Sequence, residues 1–449
     1  MLKRKAYQDM LFWKTHKRKQ ALLVSGARQV GKTFLIREFG RTQYEFFAEL
    51  NLFENVQAKA TLDGAVDSAD LFLRISALVD VELVKGKTLI FIDEVQESKE
   101  LVTAIKFLVD KYNYDFILSG SLLGVELEDV RSLPVGYLDT VEMFPLDFQE
   151  FCWANGVGAD NLSVLENAFH TKTAIPDYLH EKMLKLFHEY LIVGGMPDVV
   201  ADFIESRNVQ TVRRLQRAIV HLHRQDISKY NSSAALNIKR IYDLIPSELN
   251  SQNKRFSFKS IDENARFDRY HNNFLWLINA GVALPAYAVN SPTHPLKLSL
   301  SSNLFKLFMM DVGLLTSAFM RGASIEILNK DVSINYGSIY ENAVAQELHA
   351  QGFDLCYYNN KKFGELDFLI ESTEGIVLPL EVKSGKNYKR HNALSNVLDV
   401  KNYDLPLGYV LCESNLRIEG KVCYLPIYLT MYFSSEFGNC HKTLGRQTL

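Results

Sequence analysis

Apolar positions along this chain change period several times, and the changes mark its elements. From residue 21 to about 146, short apolar runs alternate with segments whose apolar residues recur every three or four positions. ALLVSG before residue 27, TLIFIDE at 88–94 and YDFILSGS at 114–121 are runs of strand length, and FLIREFG after residue 33 has helical period. Alternating strands and helices predict a mostly parallel sheet covered by helices. Residues 155–230 read as long helices, broken at 190–200 by YLIVGGMPDVV, where Gly-Gly-Met-Pro ends one helix and turns the chain. NNFLWLINAGVALPAYAV (272–289) reads as a helix, a glycine turn and an extended segment, with SPTHPLKLSL as the return strand, a pattern that suits a winged helix-turn-helix. Farther on, GSIYENAVAQELHAQGF (337–353) predicts an amphipathic helix, and FGELDFLIE (363–371) and IVLPLEVKSGK (376–386) predict two strands.

The turn between the first strand and its helix carries chemistry. It reads GARQVGKT, Gly26, Ala27, Arg28, Gln29, Val30, Gly31, Lys32 and Thr33, and matches G-x-x-x-x-G-K-S/T in the strand–turn–helix setting that pattern requires. The two glycines let backbone N–H groups turn inward on phosphate oxygens, and the helix adds its positive N-terminal end. Lys32 is then expected at the β- and γ-phosphates of a nucleoside triphosphate, with the Thr33 hydroxyl helping to hold Mg²⁺. Two more strand ends belong beside that loop, because ligands of open α/β sheets bind outside the carboxyl ends of the strands. Asp93 is positioned there to coordinate Mg²⁺ and Glu94 to act as general base on the attacking water. Ser119, closing the third apolar run, offers a hydroxyl to the γ-phosphate or the water.

GARQVGKT, TLIFIDEVQE and FILSGSLL resemble the Walker A, Walker B and sensor-1 elements of AAA-type ATPases with an acidic catalytic residue. Together with LPVGYLDTVEMFPLDFQEFCW (133–153), Gly-Gly-Met-Pro and KLFMMDVGLL (306–315), they resemble a family of prokaryotic ATPases with a nuclease-like C-terminal domain. The resemblance implies ATP and Mg²⁺ as cofactors. Many members of that family carry arginine where this chain has Tyr137, so no charge-stabilising finger is carried over; Arg131 and Arg224 are the nearby alternatives. The run RRLQRAIVHLHRQDISKY (213–230) either reaches the nucleotide or forms a solvated face. Asp311 and Gly313 are expected to shape a turn.

The last carboxylates form a second constellation. Glu341 lies on the predicted helix, Asp367 on the first strand, and Glu381 and Lys383 two apart on one face of the second. A hairpin would bring Asp367 to the same end, where carboxylates beside a lysine can hold metal ions, Asp367 and Glu381 being the expected ligands. The order resembles the PD-(D/E)xK nuclease core, also found in Holliday-junction resolvases. Glu and Lys on an outer strand face are equally ordinary cross-strand partners. The basic loop KSGKNYKRH (383–391) either grips a phosphate backbone or is solvated surface.

Composition narrows the partners. A net charge of −3 withholds support for a polyanion-binding protein except through a local basic patch. Five scattered cysteines without a CxxC pair point to reduced thiols. The first 20 residues predict a basic amphipathic helix packed on the first domain, not a signal peptide, and no run reaches the roughly 18 apolar residues of a membrane span. The expectation is a cytoplasmic α/β protein: a P-loop AAA-type core (1–153), a helical lid (154–231), a winged-helix-like middle (232–325) and a C-terminal α/β domain like the restriction endonucleases (326–449). ATP would drive or switch the C-terminal domain on an unknown target, with DNA, a partner protein and a second copy as candidate partners. The alternative is a nucleotide-switched regulatory or DNA- or protein-binding protein without nuclease activity.

Overall fold

The computed structural model describes residues 2–120, 136–229, 232–251, 253–319 and 336–438. Helix α1 (Lys5–His16) precedes β1 (Ala21–Ser25), α2 (Lys32–Gln43), β2 (Phe46–Asn51), α3 (Val56–Asp63), α4 (Ser68–Leu78), β3 (Thr88–Asp93), α5 (Lys99–Lys111), β4 (Asp115–Ser119) and β5 (Leu138–Glu142). These five strands form one parallel sheet in the order β2-β3-β4-β1-β5. Every residue of β3 is buried, as an interior strand between two helical layers requires. The sheet edge that matters is the carboxyl one: β1, β3 and β4 end there side by side, at Ser25, Asp93 and Ser119.

Six helices follow: α6 (Phe148–Ala154), α7 (Ala159–Thr171), α8 (Asp177–Val193), α9 (Pro197–Ser206), α10 (Val209–Lys229) and α11 (Ser232–Leu249). A capping box starts α6, with Asp147 accepting from the Glu150 amide. Glycine ends α8: Gly194 has φ +73°, and a Cβ on Gly195 would stand 2.0 Å from the Leu146 carbonyl oxygen. The expected Gly-Gly-Met-Pro turn is therefore present, with Pro197 opening α9. Asp311 does shape its neighbourhood, from a fully buried position: it accepts from the Gly195 amide at 2.6 Å and the Leu314 amide at 3.0 Å.

Helix α12 (Phe267–Asn279) leads into β6 (Ala283–Val289), which pairs antiparallel with β7 (Leu300–Met309). SPTHPLKLS is the connection, not the return strand: it holds a 3₁₀ turn at Leu296–Ser299, and pairing starts at Leu300. The remaining elements are α13 (Val312–Phe319), α14 (Tyr336–Ala350), β8 (Cys356–Asn360), β9 (Gly364–Glu371), β10 (Val377–Val382), α15 (Asn392–Leu398), β11 (Gly408–Cys412), β12 (Arg417–Glu419), β13 (Val422–Pro426) and α16 (Phe433–Phe437). The hairpin read from sequence as the wing of a separate module is part of a larger sheet, ordered β12-β13-β11-β10-β9-β8-β6-β7. Its β6 pairs parallel with β8, so a boundary at residue 325 cuts through one mixed sheet.

One apolar core runs without interruption from Trp13, Val24 and Phe91 through the helices to Phe368 and Leu380. A second fills the other face of the parallel sheet, and a third lies beneath α15. Cys152, Cys356, Cys412 and Cys423 are buried free thiols. Among the described residues, no helix is long and apolar enough to cross a membrane.

Candidate functional site

The phosphate loop is held in shape by backbone geometry that only some residues tolerate. Gly26 has φ +135°, and a Cβ there would stand 2.2 Å from the Met143 carbonyl oxygen. Gln29 (φ +65°) and Gly31 (φ +90°) supply the other two left-handed turns. From outside, the Arg4 guanidinium ties the loop down, donating to the Val30 carbonyl at 2.8 Å and to Glu150 at 3.1 Å. Arg28 pairs with Asp226 of α10 at 2.6 Å. A Cβ on Gly281, between α12 and β6, would lie 3.4 Å from the Ala27 nitrogen, so that turn rests directly on the loop.

Lys32 and Thr33 open α2 and face different partners. Lys32 Nζ donates to the carbonyls of Gly26 (2.8 Å) and Ala27 (2.9 Å), folded over the cradle it belongs to. Burial pushes its pKa down to about 8, against the pull of the Glu94 and Asp93 carboxylates. The Thr33 hydroxyl donates to Asp93 Oδ2 at 2.9 Å, and the Ser119 hydroxyl donates to Asp93 Oδ1. Thr33 from the start of α2 and Ser119 from the end of β4 thus meet on the carboxylate that ends β3. Glu94 follows in a left-handed conformation (φ +54°), its amide on Asp93 Oδ1 at 3.1 Å and its Oε2 accepting from Gln96 at 2.6 Å.

Asn51 and Gln96 were given no role by sequence reasoning. Asn51 ends β2 beside Asp93, with its Nδ2 3.5 Å from Asp93 Oδ2 and its Oδ1 accepting from the Phe53 and Glu54 amides. A polar residue closing FFAELN was the available signal. Of the two candidate arginines, the one that is described, Arg224, does not reach the site. Tyr137 precedes β5, and its carbonyl accepts from Ala21 at the amino end of β1. That is the opposite end of β1 from the phosphate loop, a strand length of about 13 Å away. Arg224 turns to Asp243 at 2.6 Å, and Arg131 lies outside the described residues. Within the described part of the run 213–230, the acid Asp226 contacts the loop through Arg28.

A cavity of about 320 Å³ lies behind the loop, between Gly26, Ala27, Phe144, Asn279, Gln346 and His349. Helix α14 therefore has one end against the nucleotide loop's back wall, and the same helix carries Glu341.

At the C-terminal constellation, β9 and β10 form the expected hairpin, with Leu380 opposite Phe368. Asp367 Oδ2 accepts from the Val382 amide at 2.8 Å, and Lys383 Nζ lies 2.7 Å from Glu381 Oε1. Burial and the neighbouring Asp367 push Glu381 up to about 7, with Lys383 opposing. Glu341 is buried above them. The sequence did not anticipate the cations among these acids: Lys254 pairs with Glu341, and Lys306 lies within 4 Å of Glu341, Glu365 and Asp367.

The two constellations differ in what they fit. Thr33 and Asp93 place two oxygen donors together at the loop, the hard donor chemistry Mg²⁺ takes, and these residues fit it. Asp367 and Glu381, expected as metal ligands, do not fit one as arranged. Lysine ammoniums fill the space among the carboxylates, and the described residues contain no group of three or more acidic, histidine or cysteine side chains able to hold a metal.

Residues 18–152 match the sequence family described as an AAA domain. This segment is an AAA-type P-loop domain. Residues 184–324 and 336–430 match two further families, each described as a domain of unknown function (DUF8612 and DUF4143). An uncharacterized protein of Methanocaldococcus jannaschii is 20% identical over 424 residues, spanning 91% of this chain and 84% of that protein. Among solved structures, the Walker-type ATPase of Pyrococcus abyssi aligns at a TM-score of 0.43 with 13% identity, over 71% of this chain and 96% of its own. The RuvB Holliday junction branch migration motor of Thermotoga maritima aligns at 0.28 with 13% identity, over 63% of this chain and 89% of its own. Both scores are low, and the AAA-type assignment stands on the family match and the loop.

Proposed function

We propose that the chain binds ATP at Gly26–Thr33 and hydrolyses it, using the nucleotide state to switch its C-terminal domain. The observation that carries this reading is the Thr33–Asp93–Ser119 contact beside a glycine-shaped loop. Thr33 and Asp93 are the residues that would hold Mg²⁺, which when bound supplies positive charge against the phosphate oxygens. Lys32 leaves the Gly26 and Ala27 carbonyls and turns its ammonium to the β- and γ-phosphates. Glu94, held by Gln96, takes a proton from water as the water oxygen bonds to the γ-phosphorus and the bond to the β-phosphate oxygen breaks, releasing ADP. Ser119 orients the γ-phosphate or the water. With arginine missing at Tyr137 and Arg224 turned to Asp243, the reading expects slow turnover or an arginine supplied by a second chain.

The route to the C-terminal domain runs through contacts on the loop itself. Gly281 touches Ala27, and α14 reaches from the cavity behind the loop to the Glu341 cluster. A loop that rearranges around phosphate would therefore push on the turn that leads into β6 and on helix α14. Lys32→Ala tests the assignment: it should abolish ATP binding in equilibrium titration, and retained tight binding would sink it.

A second reading, a metal-dependent DNA nuclease using Glu341, Asp367, Glu381 and Lys383, is favoured by the hairpin that brings Asp367 beside Glu381. The lysines at that cluster weigh against it. Cleavage of linear and branched DNA in Mg²⁺ or Mn²⁺, lost in Asp367→Ala, would favour the nuclease; no cleavage by the unaltered protein favours the switch.

A further inference from the structure

Two lysines that the nuclease-like pattern does not supply enter the C-terminal carboxylate cluster. Lys306, on β7, is fully buried, and its Nζ lies 2.9 Å from Glu365 Oε1, 3.7 Å from Glu341 Oε2 and 3.8 Å from Asp367 Oδ1. The ring of Tyr357 closes another side, with its centroid 5.0 Å from the ammonium. Lys254, from the segment after α11, pairs with the other oxygen of Glu341. Arg255 holds Glu365 at 3.1 Å, and Lys383 holds Glu381 at 2.7 Å.

These contacts set cations against the carboxylates of the cluster, with Glu341 Oε2 and Glu381 Oε2 left without a hydrogen-bond partner among the described residues. Glu341, Glu365, Asp367 and Glu381 face Lys254, Arg255, Lys306 and Lys383, four acids against four bases. Burial works against the Lys306 charge, but Glu341, Asp367 and Glu365 outweigh it and raise its pKa above the ordinary value, so the ammonium is retained. A divalent ion approaching the same oxygens would lose its hydration and meet two ammoniums at contact range, and both effects oppose binding.

We propose that the Lys306 ammonium takes the place of a divalent metal among Glu341, Glu365 and Asp367, making the cluster a metal-free clasp. It joins β7 and the segment carrying Lys254 to α14 and β9. The C-terminal domain then acts through binding or conformation and not through metal-activated phosphodiester hydrolysis. This holds whether or not the phosphate loop turns over ATP.

The test is Mn²⁺ uptake by the nucleotide-free full-length chain, measured by equilibrium dialysis, in an Asp93→Asn background that removes the metal ligand at the loop. With Lys306 intact, no uptake that depends on Asp367 is expected. Lys306→Met, which keeps length and removes charge, should take up one Mn²⁺ per chain, and adding Asp367→Asn should abolish it. Uptake with Lys306 intact that disappears in Asp367→Asn would overturn the proposal. A folded Lys306→Met chain that takes up none would overturn it equally.

Discussion

The Thr33 hydroxyl donates to Asp93 Oδ2 across 2.9 Å, joining the first turn of α2 to the end of β3. These two residues are 60 positions apart in sequence, and only the parallel pairing of the strands between them makes them neighbours. Removing the hydroxyl should separate nucleotide binding from turnover. Thr33→Ala is expected to lower Mg²⁺-dependent hydrolysis by about two orders of magnitude, the scale of losing one preorganised polar group. Binding measured in EDTA should change little. Steady-state hydrolysis over a Mg²⁺ titration checks this, and an unchanged Mg²⁺ dependence would remove Thr33 from the metal site.

Gly26 is fixed by sterics, independently of any ligand. A methyl group at φ +135° and 2.2 Å from the Met143 oxygen forces either the loop or β5's exit to move. Gly26→Ala should cost about 1–3 kcal/mol from backbone strain alone. The loss would be seen as a lower denaturation midpoint, together with loss of ATP binding. A variant as stable as the parent and still binding ATP would mean the loop is held differently.

The low pKa of Lys32, about 8 in the nucleotide-free protein, sets a pH dependence. Above that value the folded, nucleotide-free chain has released a proton from Lys32, and phosphate binding must restore it. Binding therefore takes up a proton, and affinity falls as pH rises above about 8, by at most about tenfold per unit. Calorimetry in buffers of different ionisation enthalpy measures the uptake directly. Lys32→Arg, which stays charged, should remove the dependence.

Arg28 and Asp226 link the phosphate loop to α10 through an ion pair whose acid is buried. A double-mutant cycle on Arg28→Ala and Asp226→Asn should give a coupling of about 1 kcal/mol or more without nucleotide. If the loop rearranges around phosphate, the coupling shrinks when ATP is bound. Equal coupling in both states would show that this contact takes no part in switching.

What the sequence disclosed was local. GARQVGKT and the strand ends at Asp93 and Ser119 are each contiguous, and the rule that parallel strands present their carboxyl ends together brings them to one site. The β9–β10 hairpin was legible for the same reason, since Asp367 and Glu381 lie on consecutive strands joined by one short turn. The cations that enter that cluster were not. Lys254 is 87 positions from Glu341, and nothing in its surroundings distinguishes it from a surface lysine. Lys306 sits in KLFMM, where a lone lysine in an apolar strand marks a buried partner only once the partner is known. The winged-helix reading failed at the sheet edge: β6 alternates like any hairpin strand, and pattern alone does not say that β8, about 70 residues later, pairs with it.

The most direct test of the nucleotide switch is a single-turnover experiment on Glu94→Gln. The substitution keeps the side-chain volume and the Gln96 neighbour while removing the base. With ATP and Mg²⁺, the unaltered chain should form ADP, and the variant should retain ATP unhydrolysed at similar affinity, with the rate lower by about two to four orders of magnitude. Hydrolysis by Glu94→Gln at the parent rate would contradict the assignment of Glu94 as the group that activates water.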